Sequence, residues 1–289
     1  MTYRTRFAPS PTGPLHLGHA FSALLAAGRA EAAGGTFLVR IEDLDASRAR
    51  PAWEAQIEQD LRWLGVHYPT PVLRQSERLA AYDAALEALW AKGLLFPCTC
   101  KRRDIEAAAS APQEGAPAFG PDGMVYPGTC RHRPAGPMPA QGALRLNMAA
   151  ALALSDSVTW RETGRGPQGE TGEVVWPDAR MLRAVGDIAV RRAGMGAAYH
   201  LAVVVDDAAQ EITEVVRGED LFDATAIHVV LQRLLGLPTP TYHHHRLIRD
   251  TAGKRLAKRD DARAIALYRA EGHTPEDLRR RIGLARSPA

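Results

Sequence analysis

Residues 6–19 read Arg-Phe-Ala-Pro-Ser-Pro-Thr-Gly-Pro-Leu-His-Leu-Gly-His. The mostly apolar residues 6–8 predict a short β-strand, and the proline- and glycine-rich residues 9–14 predict a turn. An Ala- and Leu-rich helix is expected over residues 17–33, with the glycine pair 34–35 ending it. Strand, turn and helix in this order predict the start of an α/β fold.

The same alternation continues through the first 95 residues and returns after residue 195. Further strands are predicted at 36–41 and 212–217. Further helices are predicted at 51–64, 77–92, 197–205, 222–235 and 275–284. Strands that alternate with helices at this spacing predict a parallel sheet.

The residues between the two α/β parts have a different composition. They contain all three cysteines and many glycines and prolines, with short strand-like pieces at 143–147 and 157–160. We therefore expect residues 98–194 to be an insertion. The predicted division is a split core of 1–97 and 195–245, this insertion, and a basic loop with a helical tail at 246–289.

Composition excludes several classes of protein. The chain has 289 residues, of which 46% are hydrophobic and 24% charged, and no apolar run reaches the roughly 18 residues of a membrane helix. Without a signal-peptide pattern, a cytoplasmic location is predicted.

The last 44 residues carry twelve Arg and Lys against six Asp and Glu. This basic end indicates contact with a polyanion or, alternatively, a solubilising surface.

Two histidines lie in the first turn of the predicted helix. His16 and His19 are three residues apart and therefore share a face beyond the carboxyl end of the strand, where α/β sheets bind ligands. The helix N-terminus attracts phosphate, and Gly18 lets a base or sugar approach the backbone. The pattern predicts a nucleotide site, with two surface histidines as the alternative.

Residues 6–19 closely resemble the HIGH signature of the class I aminoacyl-tRNA synthetases. Residues 6–13 are similar to the glutamyl branch, since the glutaminyl branch has a glutamate where Ser10 stands. Residues 38–45 and 199–221 are similar to later strands and a helix of the same family. The resemblance implies a Rossmann-like class I catalytic core with a zinc-containing insertion and a short helical C-terminal segment.

The family's second signature, KMSKS, is represented by Arg-Leu-Ala-Lys-Arg at residues 255–259. It departs from the pattern at several positions but keeps Lys258, and a basic surface loop is the alternative. The resemblance implies that His16, His19 and Lys258 are catalytic and that they bind ATP together with Gly18. Mg²⁺ is expected to accompany the ATP.

A glutamate substrate needs two cations for its carboxylates and one anion for its ammonium. The resemblance assigns the carboxylates to Arg6 and Arg217, the ammonium to Glu42, and a contact with the side-chain carboxylate to Tyr199. The full set implied for glutamate is Arg6, Phe7, Ala8, Pro9, Ser10, Glu42, Tyr199 and Arg217. The alternative for Arg217 and Glu42 is an internal ion pair. Asp206 and Asp207 are not expected to be ligands.

Cys98, Cys100 and Cys130 form an odd, clustered set, which favours a metal site over disulfides. Structural zinc needs four ligands, and chemistry alone favours His132 as the fourth. The resemblance instead implies Tyr126, so the predicted site is Cys98, Cys100, Tyr126 and Cys130 with one zinc ion. Unmetallated thiols are the alternative.

About 30 residues follow Lys258, so no anticodon-binding domain is expected. In this respect the chain resembles truncated glutamyl-tRNA synthetase paralogs that activate glutamate without tRNA and transfer it to queuosine in the anticodon loop of tRNA(Asp). The resemblance implies the substrates ATP, L-glutamate and tRNA(Asp) bearing queuosine, and a monomer is expected. The alternatives are a minimal synthetase charging a tRNA 3′ end, a non-catalytic RNA-binding paralog, and a nucleotidyltransferase acting on a cofactor precursor.

The three histidines at 243–245 are predicted to lie on one strand and cannot chelate together.

Overall fold

The structure is a computed structural model of the 289-residue chain. It describes residues 2–109, 119–132, 136–249 and 263–284. The predicted phosphate loop with Lys258 lies outside these residues, and its role stays a prediction.

Thirteen strands occur in the described residues. They are β1 (Arg4–Phe7), β2 (Thr36–Ile41), β3 (Leu73–Arg74), β4 (Leu95–Cys98), β5 (Phe119–Gly120), β6 (Gly123–Met124), β7 (Ala143–Leu146), β8 (Val158–Glu162), β9 (Gly172–Trp176), β10 (Ala189–Arg192), β11 (Gly196–Ala197), β12 (Glu214–Gly218) and β13 (Thr241–His245).

Ten α-helices accompany them over the same described ranges. They are α1 (Leu17–Ala32), α2 (Pro51–Trp63), α3 (Leu79–Ala91), α4 (Arg102–Ala109), α5 (Met148–Ala153), α6 (Asp178–Arg180), α7 (Tyr199–Ala209), α8 (Ala224–Leu234), α9 (Ile265–Ala270) and α10 (Pro275–Arg281).

Two groups of parallel strands lie side by side. In the first, β1, β2 and β3 are parallel; in the second, β12, β13 and β8 are parallel and β9 is antiparallel to β8. The groups meet where the Thr213 N–H donates to the Arg4 carbonyl at 2.9 Å. The carboxyl ends of β1, β2, β12 and β13 consequently face one cavity, and the predicted α/β class is confirmed in its mixed form.

In the described residues, the strands of the segment 98–194 are divided between three sheets, one of which is the hairpin β5–β6. β7 and β10 form an antiparallel sheet with β4 and β11, whereas β8 and β9 continue the sheet of β12 and β13. Val158, Trp160 and Glu162 are buried on one face of β8, which explains why this strand joins the core. The domain boundaries predicted from composition stay a prediction, and the pairing between distant strands that joins these sheets leaves no local signal in the sequence.

The C-terminal helices are attached to the turn that precedes α1. The Ile265 N–H donates to the Leu15 carbonyl at 2.9 Å, and His16 forms an antiparallel bridge with Ala264. α10 begins with a capping box, in which Thr274 accepts from the backbone of Asp277 and the Asp277 side chain accepts from the backbone of Thr274.

Apolar side chains form two large clusters. One lies between α3, α5, α7 and α8 and the sheet of β8, and the other packs α1 and α2 against α9 and α10. Helix α8 is buried almost throughout, including its polar residues Thr225, His228 and Gln232, which therefore need hydrogen-bond partners inside the protein. Among the described helices, none combines the length and the apolar character that crossing a membrane requires.

Candidate active site

A cavity of about 460 Å³ opens at the carboxyl ends of β1, β2, β12 and β13. It brings together most of the residues predicted from the sequence, namely Arg6, Phe7, Ala8, Ser10, His16, Gly18, His19, Glu42, Tyr199 and Arg217. Pro9 is not among the lining residues; its carbonyl accepts from the Glu42 N–H at 3.0 Å and ties the turn to the end of β2.

His16 and His19 are held by the backbone at the start of α1. The Gly18 N–H donates to His16 Nδ1 and the His16 N–H donates to His19 Nδ1, both at 3.1 Å. A neutral ring that accepts at Nδ1 carries its proton on Nε2, so each imidazole is a donor of the kind that phosphate accepts. A Cβ at residue 18 would lie 3.0 Å from His16 Cε1, which explains the glycine between the two rings.

Arg6 forms a buried ion pair that the sequence did not predict. Its Nε and Nη2 atoms donate to the two carboxylate oxygens of Asp207 at 2.9 and 3.2 Å, and Arg40 Nη1 donates to the same carboxylate at 2.7 Å. Burial would raise the pKa of Asp207, but the Arg6 and Arg40 guanidinium groups lower it to about 2. The charge of Arg6 is therefore already compensated by a contacting carboxylate.

Among the described residues, Glu42 is one of two acidic residues that line the cavity, the other being Asp220. The Glu42 carboxylate lies 3.4 Å from Arg40 Nη2, so Glu42 has an ion-pair partner within the protein, and that partner is Arg40. Burial raises the pKa of Glu42, while the nearby Arg40 and Arg6 charges oppose that rise. An ammonium group placed against this carboxylate would stabilise its charged form.

Arg217, at the carboxyl end of β12, is surrounded by neutral acceptors. Its Nε donates to His244 Nε2 and its Nη1 contacts His228 Nδ1, both at 3.1 Å. Its Nη2 donates to the Thr225 hydroxyl at 2.8 Å and to the Leu221 carbonyl at 3.1 Å. None of these four partners is a carboxylate, whereas Arg6 donates to the carboxylate of Asp207.

Tyr199 begins α7 beside this group. Its ring makes edge-to-face contacts with His200 and His228, with centroids 5.2 and 5.9 Å apart. Burial, followed by the Glu42 charge, raises the pKa of Tyr199, so its phenol stays protonated and can donate to a carboxylate.

Sequence reasoning missed several residues at the cavity. Gly218, Asp220 and Leu247 line it, and so does His245, whose Nε2 lies 2.8 Å from the Ser22 hydroxyl. Their positions in the sequence could have identified these residues, because each one either ends β12 or β13 or follows the carboxyl end of one of these strands. The three histidines at 243–245 do lie on one strand, β13, as predicted.

A second group of side chains lies beside β4. The sulfur atoms of Cys98, Cys100 and Cys130 are within 4.8 Å of one another. The Tyr126 hydroxyl lies 3.5 Å from the sulfurs of Cys98 and Cys100 and accepts from the Cys130 N–H at 2.8 Å. His132 is exposed and outside this group. Three sulfurs and one phenol oxygen this close together supply the number of ligands that a tetrahedral metal ion takes.

The cavity and the fold define the catalytic domain of a class I synthetase. The family model described as tRNA synthetases class I (E and Q), catalytic domain, matches residues 2–126 and 172–287. The chain is 62% identical over 287 residues to the glutamyl-Q tRNA(Asp) synthetase of Rhodobacter capsulatus, covering 97% of this chain and 99% of that protein. It is 44% identical to the same enzyme of Leptothrix cholodnii, covering 91% and 84%. The chain belongs to the glutamyl-Q tRNA(Asp) synthetase family.

Solved structures agree with this membership. The glutamate tRNA ligase of Elizabethkingia meningosepticum, in complex with its amino acid, superimposes with a TM-score of 0.73 at 27% identity. The match covers 96% of this chain and 59% of that ligase, so the chain spans less than two thirds of its length. The prediction of a glutamyl-branch class I synthetase is confirmed.

Proposed function

We propose that the protein activates L-glutamate with ATP in the absence of tRNA, forming glutamyl-adenylate. The glutamyl group is then transferred to queuosine in the anticodon loop of tRNA(Asp). The observation that carries this proposal is the cavity whose lining contains the His16–His19 pair together with Glu42 and Arg217. The 62% identity to a glutamyl-Q tRNA(Asp) synthetase supports the choice of acceptor.

In the first step a glutamate carboxylate oxygen attacks the α-phosphorus of ATP and pyrophosphate leaves. No protein nucleophile is required, so the protein contributes positioning and charge stabilisation. His16 and His19 donate to the phosphates at the N-terminus of α1, with Gly18 leaving room for the nucleotide, and Lys258 adds a positive charge. Mg²⁺ bound with the ATP neutralises the phosphate oxygens.

The amino acid binds to acidic and basic residues of the cavity lining. Glu42 binds the ammonium group and Arg217 binds a carboxylate, with the Tyr199 hydroxyl as a further donor. Arg6 contributes through a guanidinium that Asp207 already holds, and Phe7, Ala8 and Ser10 line the cavity beside it.

We also propose that Cys98, Cys100, Tyr126 and Cys130 bind one structural zinc ion. Burial would raise the pKa of Cys130, but the Tyr126 hydroxyl and a Thr99 backbone hydrogen bond lower it to about 6, which favours a thiolate. Zinc there would connect β4 to the loop that contains Cys130.

The tRNA is expected to contact the basic end of the chain. Arg279, Arg280 and Arg281 lie in the last turn of α10, and the final 44 residues have an excess of positive charge. Binding through phosphates predicts an affinity that falls steeply with salt. A monomer and a cytoplasmic location stay predictions.

The decisive experiment measures glutamate-dependent ATP–pyrophosphate exchange without RNA, followed by transfer of labelled glutamate to tRNA(Asp) with and without queuosine. Exchange is expected without tRNA, and transfer only to queuosine-containing tRNA, including tRNA whose 3′ end has been blocked. Arg217→Gln should raise the KM for glutamate about 100-fold, since a charge-assisted contact is lost, whereas the exposed Arg62→Gln should leave it unchanged. Absence of exchange, or transfer confined to an intact 3′ end, would contradict the proposal.

A further inference from the structure

A buried row of imidazoles leads away from Arg217, and its rings are not among the residues that line the cavity. His228 Nδ1 faces Arg217 Nη1, and His228 Nε2 lies 3.1 Å from His200 Nδ1. His200 Nε2 in turn lies 3.4 Å from a carboxylate oxygen of Asp122. On the other side of Arg217, His244 Nδ1 lies 2.6 Å from a carboxylate oxygen of Glu162.

Because Arg217 can only donate, it determines which atom donates and which accepts in every hydrogen bond of this row. A guanidinium only donates, so His228 Nδ1 and His244 Nε2 must both accept. His228 then carries its proton on Nε2 and donates to His200 Nδ1, and His200 donates from Nε2 to Asp122. His244 likewise carries its proton on Nδ1 and donates to Glu162. All three rings are neutral, and each ring has one donor and one acceptor in use.

The environment keeps the two contacting rings in this state. Burial, followed by the Arg217 charge, lowers the pKa of His228 well below its usual range. Burial also lowers the pKa of His244, to about 4, although Glu162 opposes the shift. Protonation of either ring would replace an acceptor by a donor pointing at the guanidinium.

The two arginines that line the cavity therefore have hydrogen-bond partners of different charge. Arg6 donates to both oxygens of Asp207, whereas the partners of Arg217 are imidazoles, a hydroxyl and a carbonyl. The carboxylates Asp122 and Glu162 are separated from the guanidinium by imidazole rings. A neutral acceptor orients a guanidinium without neutralising it, so Arg217 keeps its charge for a ligand.

We propose that His228 is a positioning residue whose neutral imidazole makes Arg217 the cation that selects a substrate carboxylate over the corresponding amide. The inference rests on the proposed function, because it concerns the same glutamate site. It predicts that a charge change at His228, at constant shape, controls the choice between glutamate and glutamine.

The test compares His228→Asn with His228→Asp. Both side chains place an oxygen near the position of Nδ1, but only aspartate neutralises Arg217. In glutamate-dependent pyrophosphate exchange, H228N should stay within about threefold of the parent KM for glutamate. H228D should raise that KM about 30-fold and lower the glutamate-over-glutamine preference about tenfold, while the KM for ATP changes less than about twofold. Equal KM values in the two variants, or a parent-like value in H228D, would overturn the inference.

Thermal unfolding with and without glutamate or glutamine provides a readout that needs no catalysis. If H228D does not fold, the pair Thr225→Asn and Thr225→Asp poses the same question at the Nη2 contact. Asp60→Asn, on helix α2 outside the cavity lining, controls for loss of a buried polar contact. A parent that binds glutamate without exchange contradicts the proposed function only, and the variant pair then decides the inference by binding. A parent that binds neither amino acid overturns both.

Discussion

Asp207 is the residue at which the buried charges beside the cavity converge. Arg6 and Arg40 both donate to its carboxylate, and Arg40 itself is fully buried. Removing one member of such a group leaves the others without compensation, which costs far more than the group contributes to stability. Loss of the Asp207 charge would therefore leave Arg6 in the cavity lining without its ion-pair partner.

Asp207→Asn is expected to lower the free energy of unfolding by about 3 kcal/mol at pH 7, because two buried guanidinium groups lose a charged partner. The pKa of Asp207 is about 2 in the folded protein, against about 3.9 in an unfolded chain. Its stabilising effect is thus complete above about pH 4 and is lost as the pH falls toward 2. Urea unfolding at pH 7 and pH 3 measures both effects.

The exposed Asp83→Asn variant is the matched control and should follow the parent at both pH values. If D207N loses as much stability between pH 7 and pH 3 as the parent does, the acid sensitivity has another source.

The sequence predicted several residues that line the cavity, but it did not predict the residues with which they form ion pairs. His16, His19, Glu42 and Arg217 follow or end strands, so a parallel sheet brings them together whatever the details of packing. Asp207 reaches Arg6 across 201 residues of chain, which depends on how α7 packs against the sheet. Local sequence carries no information on such a distance.

At the scale of elements, the turn after β8 is tightly packed against β13. A Cβ at Gly164 would lie 2.2 Å from the His244 carbonyl oxygen, a backbone atom that cannot move without shifting the strand. The same strand carries the imidazole that accepts from Arg217. Gly164 is therefore required by close approach of two backbones.

Gly164→Ala is expected to destabilise the protein by about 2 kcal/mol, since the added methyl group overpacks this junction. Gly28→Ala, within α1, is the matched control: a Cβ there meets nothing within 4 Å. It should stabilise the protein by about 0.5 kcal/mol through its better helix propensity. Chemical denaturation of both variants checks the opposite signs, and a stable G164A protein would contradict the packing argument.

Long elements with strong local signals were predicted closely, and short ones were missed. The strand at 36–41 has the predicted bounds, and α2 ends one residue before the predicted end. The helix predicted at 197–205 begins instead at Tyr199, because Gly196–Ala197 pairs with β10 as strand β11. A two-residue strand is formed by its partner and not by its own sequence.

At the scale of the whole molecule, the sulfur cluster is separate from the two large apolar cores. Among the residues that the structure describes, its buried set consists of Phe96, Cys98, Tyr126 and Cys130. So small a core needs another source of stability, which is the physical reason to expect a metal ion there.

Purified protein is expected to contain about one zinc ion per chain, as elemental analysis would show. Removal with a strong chelator should speed hydrogen exchange about tenfold or more in β4 and in the β5–β6 hairpin, while β1 and β2 keep their protection. Cys130→Ser should reproduce the effect without chelator. Protein free of zinc, or equal loss of protection in both regions, would contradict the site.

Ile265 and Ala264 fasten the C-terminal helices to the residues immediately before α1. These contacts connect the C-terminal helices, which include Arg279, Arg280 and Arg281, to the backbone of His16, a residue that lines the cavity. Thermodynamic linkage makes any communication across this joint reciprocal: the factor by which a nucleotide alters polyanion affinity equals the factor by which the polyanion alters nucleotide affinity. The two proposed substrates would thus affect each other's binding through the contacts that hold α9 and α10 against α1.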